Sequence, residues 1–206
     1  MAVNGTAPGV IGRACQDRGI RCVHLSTDYV LDAPEVDWLT EDLAPNPRST
    51  YARTKLVGER AALDADAVVV RLQWVYQPGL PGFYTRALQA MARGESVSLV
   101  TDQVGSPTTA GAIAPALIAA ARGQARGLFH LACAGESTAY EWIARGAQIA
   151  GVALRAQKVS RAELGGAPRP ARSCLQSTRF EAAFGVEMPH WEAAQSAAMV
   201  GWYPAG

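Results

Sequence analysis

The run Ala67-Val-Val-Val-Arg-Leu-Gln-Trp-Val75 sets the tightest limit on what this chain can fold into. Three consecutive valines favour extended backbone, and a run that does not alternate with polar residues has no face to offer water. Such a strand must be covered on both sides, as an interior strand of a parallel sheet is. Shorter runs read the same way: Arg21 to Leu25, ending at Ser26-Thr27, then Val97 to Val100, Gly127 to Ala132 and, more weakly, Gln157 to Ser160.

Helical segments lie between these strands. Ser49 or Thr50 can cap a helix from Tyr51 to Leu63, and Phe83 to Arg93 is stopped by Gly94. Ala110 to Arg122 is a third helix. Ser137 or Thr138 caps a fourth, which runs through Ile149 to a stop at Gly151, and a last one starts near Pro189. Residues 32–50, with Pro34, Pro45 and Pro47, form a loop, as do residues 77–82. Strands alternating with helices predict an α/β fold with a parallel sheet, and ligands then bind beyond the carboxyl ends of the strands.

Composition narrows the class further. A chain of 206 residues, 49% hydrophobic and 18% charged, can bury a core as one domain, or as one domain with a small lobe. A net charge of +1 gives no basis for counterion-driven nucleic-acid binding. The longest apolar stretch, Ala110 to Ala121, contains Pro115 and is too short to span a bilayer. The N-terminus lacks the charged start and apolar run of a secretory signal, which predicts a cytoplasmic location and no membrane partner. The four cysteines form no C-x-x-C pair and the three histidines are scattered, so reduced thiols are expected and a zinc site is not.

Chemistry concentrates in Tyr51-Ala-Arg-Thr-Lys55. On a helix, residues four apart share a face, which brings an ammonium near a phenol. A positive charge there favours phenolate, and the tyrosine can act as a general acid toward a carbonyl oxygen being reduced. An exposed helix face would carry the same two residues without function. Upstream, Thr27 ends a predicted strand, where its hydroxyl can bond the oxygen that Tyr51 protonates or can simply bond the turn backbone. Arg71 is open to two readings, ligand or structural charge.

The ordered set Ser26-Thr-Asp-Tyr-Val30, a Pro-Asn-Pro loop, YARTKLVGE, VVVRLQWVY, TDQVGSPTTA, GLFHLA and RPARSCLQSTRFEAAFGVEMPHW resembles the dTDP-4-dehydrorhamnose reductase family of the extended short-chain dehydrogenases/reductases. The resemblance implies a Rossmann-like parallel sheet with a small C-terminal substrate-binding lobe. Residues 1–78 would be the second half of the nucleotide-binding domain. Residues 79–206 would be mainly the lobe, with a return to the sheet near 127–150. It implies reduction of a 4-keto nucleotide sugar by NADPH or NADH. Thr27, Tyr51 and Lys55 would be catalytic, with Tyr51 and Lys55 also meeting the cofactor and Asp28, Tyr29 and Trp74 lining the sugar pocket. Trp74 could equally be a core aromatic. To Gly105-Ser-Pro-Thr108, which matches a lobe loop of the family, we assign no chemistry.

Family members begin with a strand and a Gly-rich turn that cradles the cofactor pyrophosphate. Gly5, Gly9 and Gly12 imitate that turn, but no strand precedes them, and they read as a glycine-containing helix start or loop. The chain then matches a family member from mid-domain onward. The expectation is an exposed strand edge, with marginal stability or rescue by a homodimer or a complementing N-terminal partner. Activity would be impaired or partner-dependent. Two other readings stay open: a non-catalytic sugar-nucleotide-binding or regulatory protein, and a nucleotide-sugar epimerase or dehydratase.

Overall fold

The computed structural model describes residues 1–33 and 35–204. Pro34, one of the expected loop prolines, lies outside them. The chain opens with a π-helical turn (Ala2–Thr6) and α1 (Ala7–Gln16), then β1 (Val23–Thr27), a 3-10 turn (Asp28–Val30) and α2 (Thr50–Leu63). Next come β2 (Val68–Leu72), β3 (Val75–Tyr76), α3 (Phe83–Ala92), β4 (Val97–Val100), β5 (Val104–Gly105), β6 (Thr108–Thr109) and α4 (Ala110–Arg122). The remainder is β7 (Gly127–Leu131), β8 (Ser137–Thr138), α5 (Ala139–Ile149), β9 (Ala156–Val159), α6 (Arg161–Leu164), α7 (Thr178–Phe184) and α8 (Trp191–Ala198).

The principal sheet is parallel, in the order β1-β2-β7, with Val69 opposite His24 on one side and Leu128 on the other. Its centre is the valine run. Val68, Val69 and Val70 are all fully buried because both faces of β2 are covered. Val68 and Val70 join the large core with Phe129, Leu131 and Ile143, while Val69 packs on the opposite face with Ala62 of α2. β1 stands at the sheet edge, where Leu25 is exposed. Three two-stranded ladders complete the strands: β3-β6, β4-β9 and the antiparallel β5-β8.

The valine run does not continue to Val75 as one strand. It stops at Leu72, because Gln73 turns its amide into the interior and Trp74 adopts φ +39°. Gln73 is buried, and its side chain ties two distant segments, near Ser106 and at residues 173–175. Nε2 donates to Ser173 Oγ (2.7 Å), and Oε1 accepts from the backbone N–H groups of Ser106 (3.0 Å) and Leu175 (3.4 Å). Those bonds take the place of a ladder. Helix α7 (Thr178–Phe184) forms where the sequence shows no helical period. Its seven residues are too few for a clear period, and its buried anchor is a single aromatic, Phe180.

The glycines near the N-terminus serve packing. Gly9 and Gly12 lie in α1 against α2, where an added Cβ would stand 2.8 Å from the Cβ of Ala61 and of Ala65. On the facing side, a Cβ at Gly58 would fall on the Asn4 carbonyl oxygen. The backbones therefore approach closely, and α2 is held over the sheet by small residues from both sides. Since Asn4 offers backbone and not a flexible side chain at that point, Gly58→Ala should lower the melting temperature by roughly 5 °C or more. An unchanged melt by circular dichroism would refute this packing role.

Candidate active site

The site forms where β1 ends and α2 begins. Thr27, the last residue of β1, is extended, and its Oγ1 accepts from the backbone N–H of Tyr29 (3.3 Å) while donating to Asp28 Oδ1 (3.1 Å). This caps the 3-10 turn and fixes the threonine hydroxyl. Across from it, Ser49 caps α2 by accepting from Ala52 N–H (3.1 Å), which places Tyr51 in the first turn. Lys55 and Glu59 follow at four-residue steps on the same side of the helix. Lys55 Nζ donates to the Leu25 carbonyl at 2.6 Å. Glu59, fully enclosed, takes Arg71 on both carboxylate oxygens (2.6 and 3.0 Å) and accepts from Ser26 Oγ (2.7 Å).

These bonds bring Thr27, Asp28, Tyr29, Tyr51 and Lys55 to one place. The Tyr29 and Tyr51 rings meet edge to face at 6.3 Å. Trp74 lies beyond Tyr29, and the two line one cavity of about 220 Å³. Arg71 is not part of this cluster. It is 1% exposed, pairs with Glu59 and contacts His130 Nε2 at 3.2 Å, so of its two readings the structural charge holds. The Gly105–Thr108 loop is the platform under Trp74. A Cβ at Gly105 would stand 2.7 Å from the indole, and the Thr108 hydroxyl accepts from Cys133 N–H (3.1 Å). Phe83, Gln103, Trp142 and Arg169 line the same cavity. They come from four separate segments, so no local spacing could have marked them.

The electrostatics differ from the expectation for Tyr51. Burial holds its phenol above the ordinary value, the Thr27 hydroxyl pulls it back, and the Asp28 charge raises it. Lys55 does not figure among these influences; its ammonium is anchored on Leu25, and burial lowers its own pKa against the pull of Glu59. A phenol held protonated suits a proton donor. Asp28 is 3% exposed with one carboxylate oxygen unpartnered, and burial pushes it up to about 7. His130, enclosed beside Arg71, is pushed down to about 3 and stays neutral.

The donor set fits the nicotinamide-ribose end of a dinucleotide. An ammonium has three N–H groups, and Leu25 takes one, which leaves Lys55 two for ribose hydroxyls beside a half-exposed phenol. The Gly5–Gly12 run does not fit a pyrophosphate cradle, because its glycines are turned against α2.

The Asp28 carboxyl has a folded pKa above its unfolded one. Its neutral form therefore supports the fold at acid pH, and that support is lost as pH rises through about 7. Asp28→Asn should melt about 5 °C above the wild type at pH 8, with an advantage that shrinks toward pH 4.5. An equal difference at both pH values would contradict a buried, strained carboxylate.

The family model described as RmlD substrate binding domain matches residues 1–201. The chain is 36% identical over 200 residues to the protein named probable low-salt glycan biosynthesis reductase of Haloferax volcanii, covering 93% of this chain and 67% of that one. It is 36% identical over 210 residues to dTDP-4-dehydrorhamnose reductase of Mycobacterium tuberculosis, covering 96% and 68%. The fold matches dTDP-4-dehydrorhamnose reductase of Bacillus anthracis, solved in complex with NADP, with a TM-score of 0.90 at 24% identity over 96% of this chain and 71% of that one. By the family model and these relatives, the chain belongs to the RmlD substrate-binding-domain family of the reductases.

Proposed function

We propose that the chain carries the proton-donating and sugar-binding machinery of a reductase acting on the 4-keto group of a dTDP-linked deoxysugar. The observation that carries this reading is the convergence of Thr27, Tyr51 and Lys55 at the carboxyl end of β1, on an anchored helix. The names of the relatives supply the substrate class. In this reading the nicotinamide cofactor, when bound, supplies the hydride.

The chain's own residues do the rest. Tyr51 donates its phenolic proton to the oxygen that becomes the hydroxyl. Thr27 sits on that side of the phenol and hydrogen-bonds the same oxygen, while Asp28 and Tyr29 wall the sugar. Lys55 holds the ribose with its two remaining N–H groups. Residues 1–78 act as the nucleotide-binding half and residues 79–206 as the main substrate lobe. The open edge of β1, with Leu25 exposed, and the exposed Val10 and Ile11 of α1 favour a second body of protein against this face. Activity is then greatest when that face is covered.

The test is oxidation of NADPH by the chain in the presence of a dTDP-4-keto-6-deoxysugar. Tyr51→Phe should lower turnover at least about 100-fold while leaving binding of the nucleotide sugar intact. Equal turnover by Tyr51→Phe, or formation of a C3 or C5 epimer without net cofactor oxidation, would overturn the reductase assignment. Binding without turnover, even with the β1 face covered, would make the chain a non-catalytic binding protein.

A further inference from the structure

Two of the four cysteines meet away from the candidate active site. Cys15 lies in the last turn of α1, and Cys22 stands one residue before β1. The turn between them brings the two segments together. The Cys15 carbonyl accepts from the N–H groups of Arg18 (3.1 Å) and Ile20 (2.8 Å), and Gly19 takes φ +64°, which reverses the chain. Both side chains are then directed at one patch of small residues. Gly12, one turn earlier in α1, faces Ala62 and Ala65, and Cys15 continues that face of the helix. Cys22 packs against the cluster of Ala62, Ala67 and Val69. The two thiols are in contact, and both are free and partly exposed. Cys133 and Cys174 differ: they are 1% and 0% exposed, and burial pushes both thiols up.

Two touching thiols that solvent can reach, on adjoining elements, are what a reversible disulfide requires. We propose that Cys15 and Cys22 form a redox-modification site, which closes to an intramolecular disulfide when a low-molecular-weight disulfide is the oxidant. The Cys15 thiolate attacks one sulfur of the reagent and breaks its S–S bond. One half of the reagent leaves as a thiolate and takes up a proton; the other half stays on Cys15 as a mixed disulfide. Cys22 then gives its proton to solvent and attacks the Cys15 sulfur, displacing the second half as a thiol. The protein loses two electrons and two protons, and the reagent gains both. Burial and the adjacent Cys15 hold the Cys22 thiol above its ordinary pKa, which places Cys22 second in the sequence. The closed bond ties the end of α1 to the entry of β1. It lies at the opposite end of β1 from Thr27, so it fastens the helix without reaching the Tyr51 site.

Incubation of the reduced chain with oxidised glutathione, followed by intact-mass measurement and tryptic mapping, tests this. The chain should lose the mass of two hydrogen atoms and retain no glutathione. Trypsin cuts after Arg13, Arg18, Arg21 and Arg48, so the link should join residues 14–18 to residues 22–48. Dithiothreitol should restore the starting mass. The linked form should melt about 5 °C above the reduced form, because the bond restricts the unfolded chain. Cys15→Ser, at a partly exposed position, should abolish both the link and the shift. Stable glutathione adducts in place of the link, a link through Cys133 or Cys174, or an equal melting shift in Cys15→Ser would overturn the assignment. The reductase reading stands or falls separately, since neither cysteine belongs to its site.

Discussion

The ion pair between Glu59 and Arg71 is the interaction on which the rest of the arrangement depends. Both side chains are excluded from water, at 2% and 1% exposure, and the arginine reaches both carboxylate oxygens. Taking two charges out of water costs about as much as their attraction returns, so the pair is not simply a source of stability. Its effect is geometric. Glu59 belongs to α2, Arg71 to β2, and the pair recruits Ser26 from β1 and His130 from β7. One network thus links all three strands of the principal sheet to the helix that carries Tyr51 and Lys55. A one-residue slip of that helix would strand two buried charges, which fixes its register.

A second crossing point fixes the other half of the site. Gln73 leaves the sheet and gathers Ser106, Ser173 and Leu175 around one amide. The backbone that follows is turned so far that Trp74 takes a left-handed conformation, and Gly105 leaves room for its indole. Burial at the first crossing point sets the proton chemistry, since the enclosed Asp28 and the partly shielded Tyr51 are both held toward their neutral forms. Packing at the second shapes the cavity beside them. The two are joined through Tyr29, which touches Tyr51 and faces the Trp74 cavity.

Much of this was legible in the residues alone, and the limits have physical causes. The valine run announced an interior strand because burial on both faces leaves no polar alternation. Ser49 and Gly94 marked helix ends through capping chemistry that acts over a few residues. Tyr51 and Lys55 were visible because a helix turns their spacing into proximity. By contrast, the break at Gln73 depends on Ser173, a hundred residues away, and no local pattern carries that contact. The same holds for Arg169 and Gln103. Glu59 sat within the recognised YARTKLVGE segment without a role, because its partner lies on another strand. The spacing of Tyr51 and Lys55 predicts an ammonium acting on the phenol, whereas that ammonium is anchored on the Leu25 carbonyl.

A double-mutant cycle on Glu59→Gln and Arg71→Met, read by urea denaturation, tests the central claim most directly. If the pair holds α2 to the sheet, each single change leaves a buried polar group or charge without its partner and costs about 3 kcal/mol or more. The double change should then cost at least about 2 kcal/mol less than the two singles added together. Additive losses would mean that the two side chains act independently, and the register of α2 would have to come from the glycine packing against α1 alone.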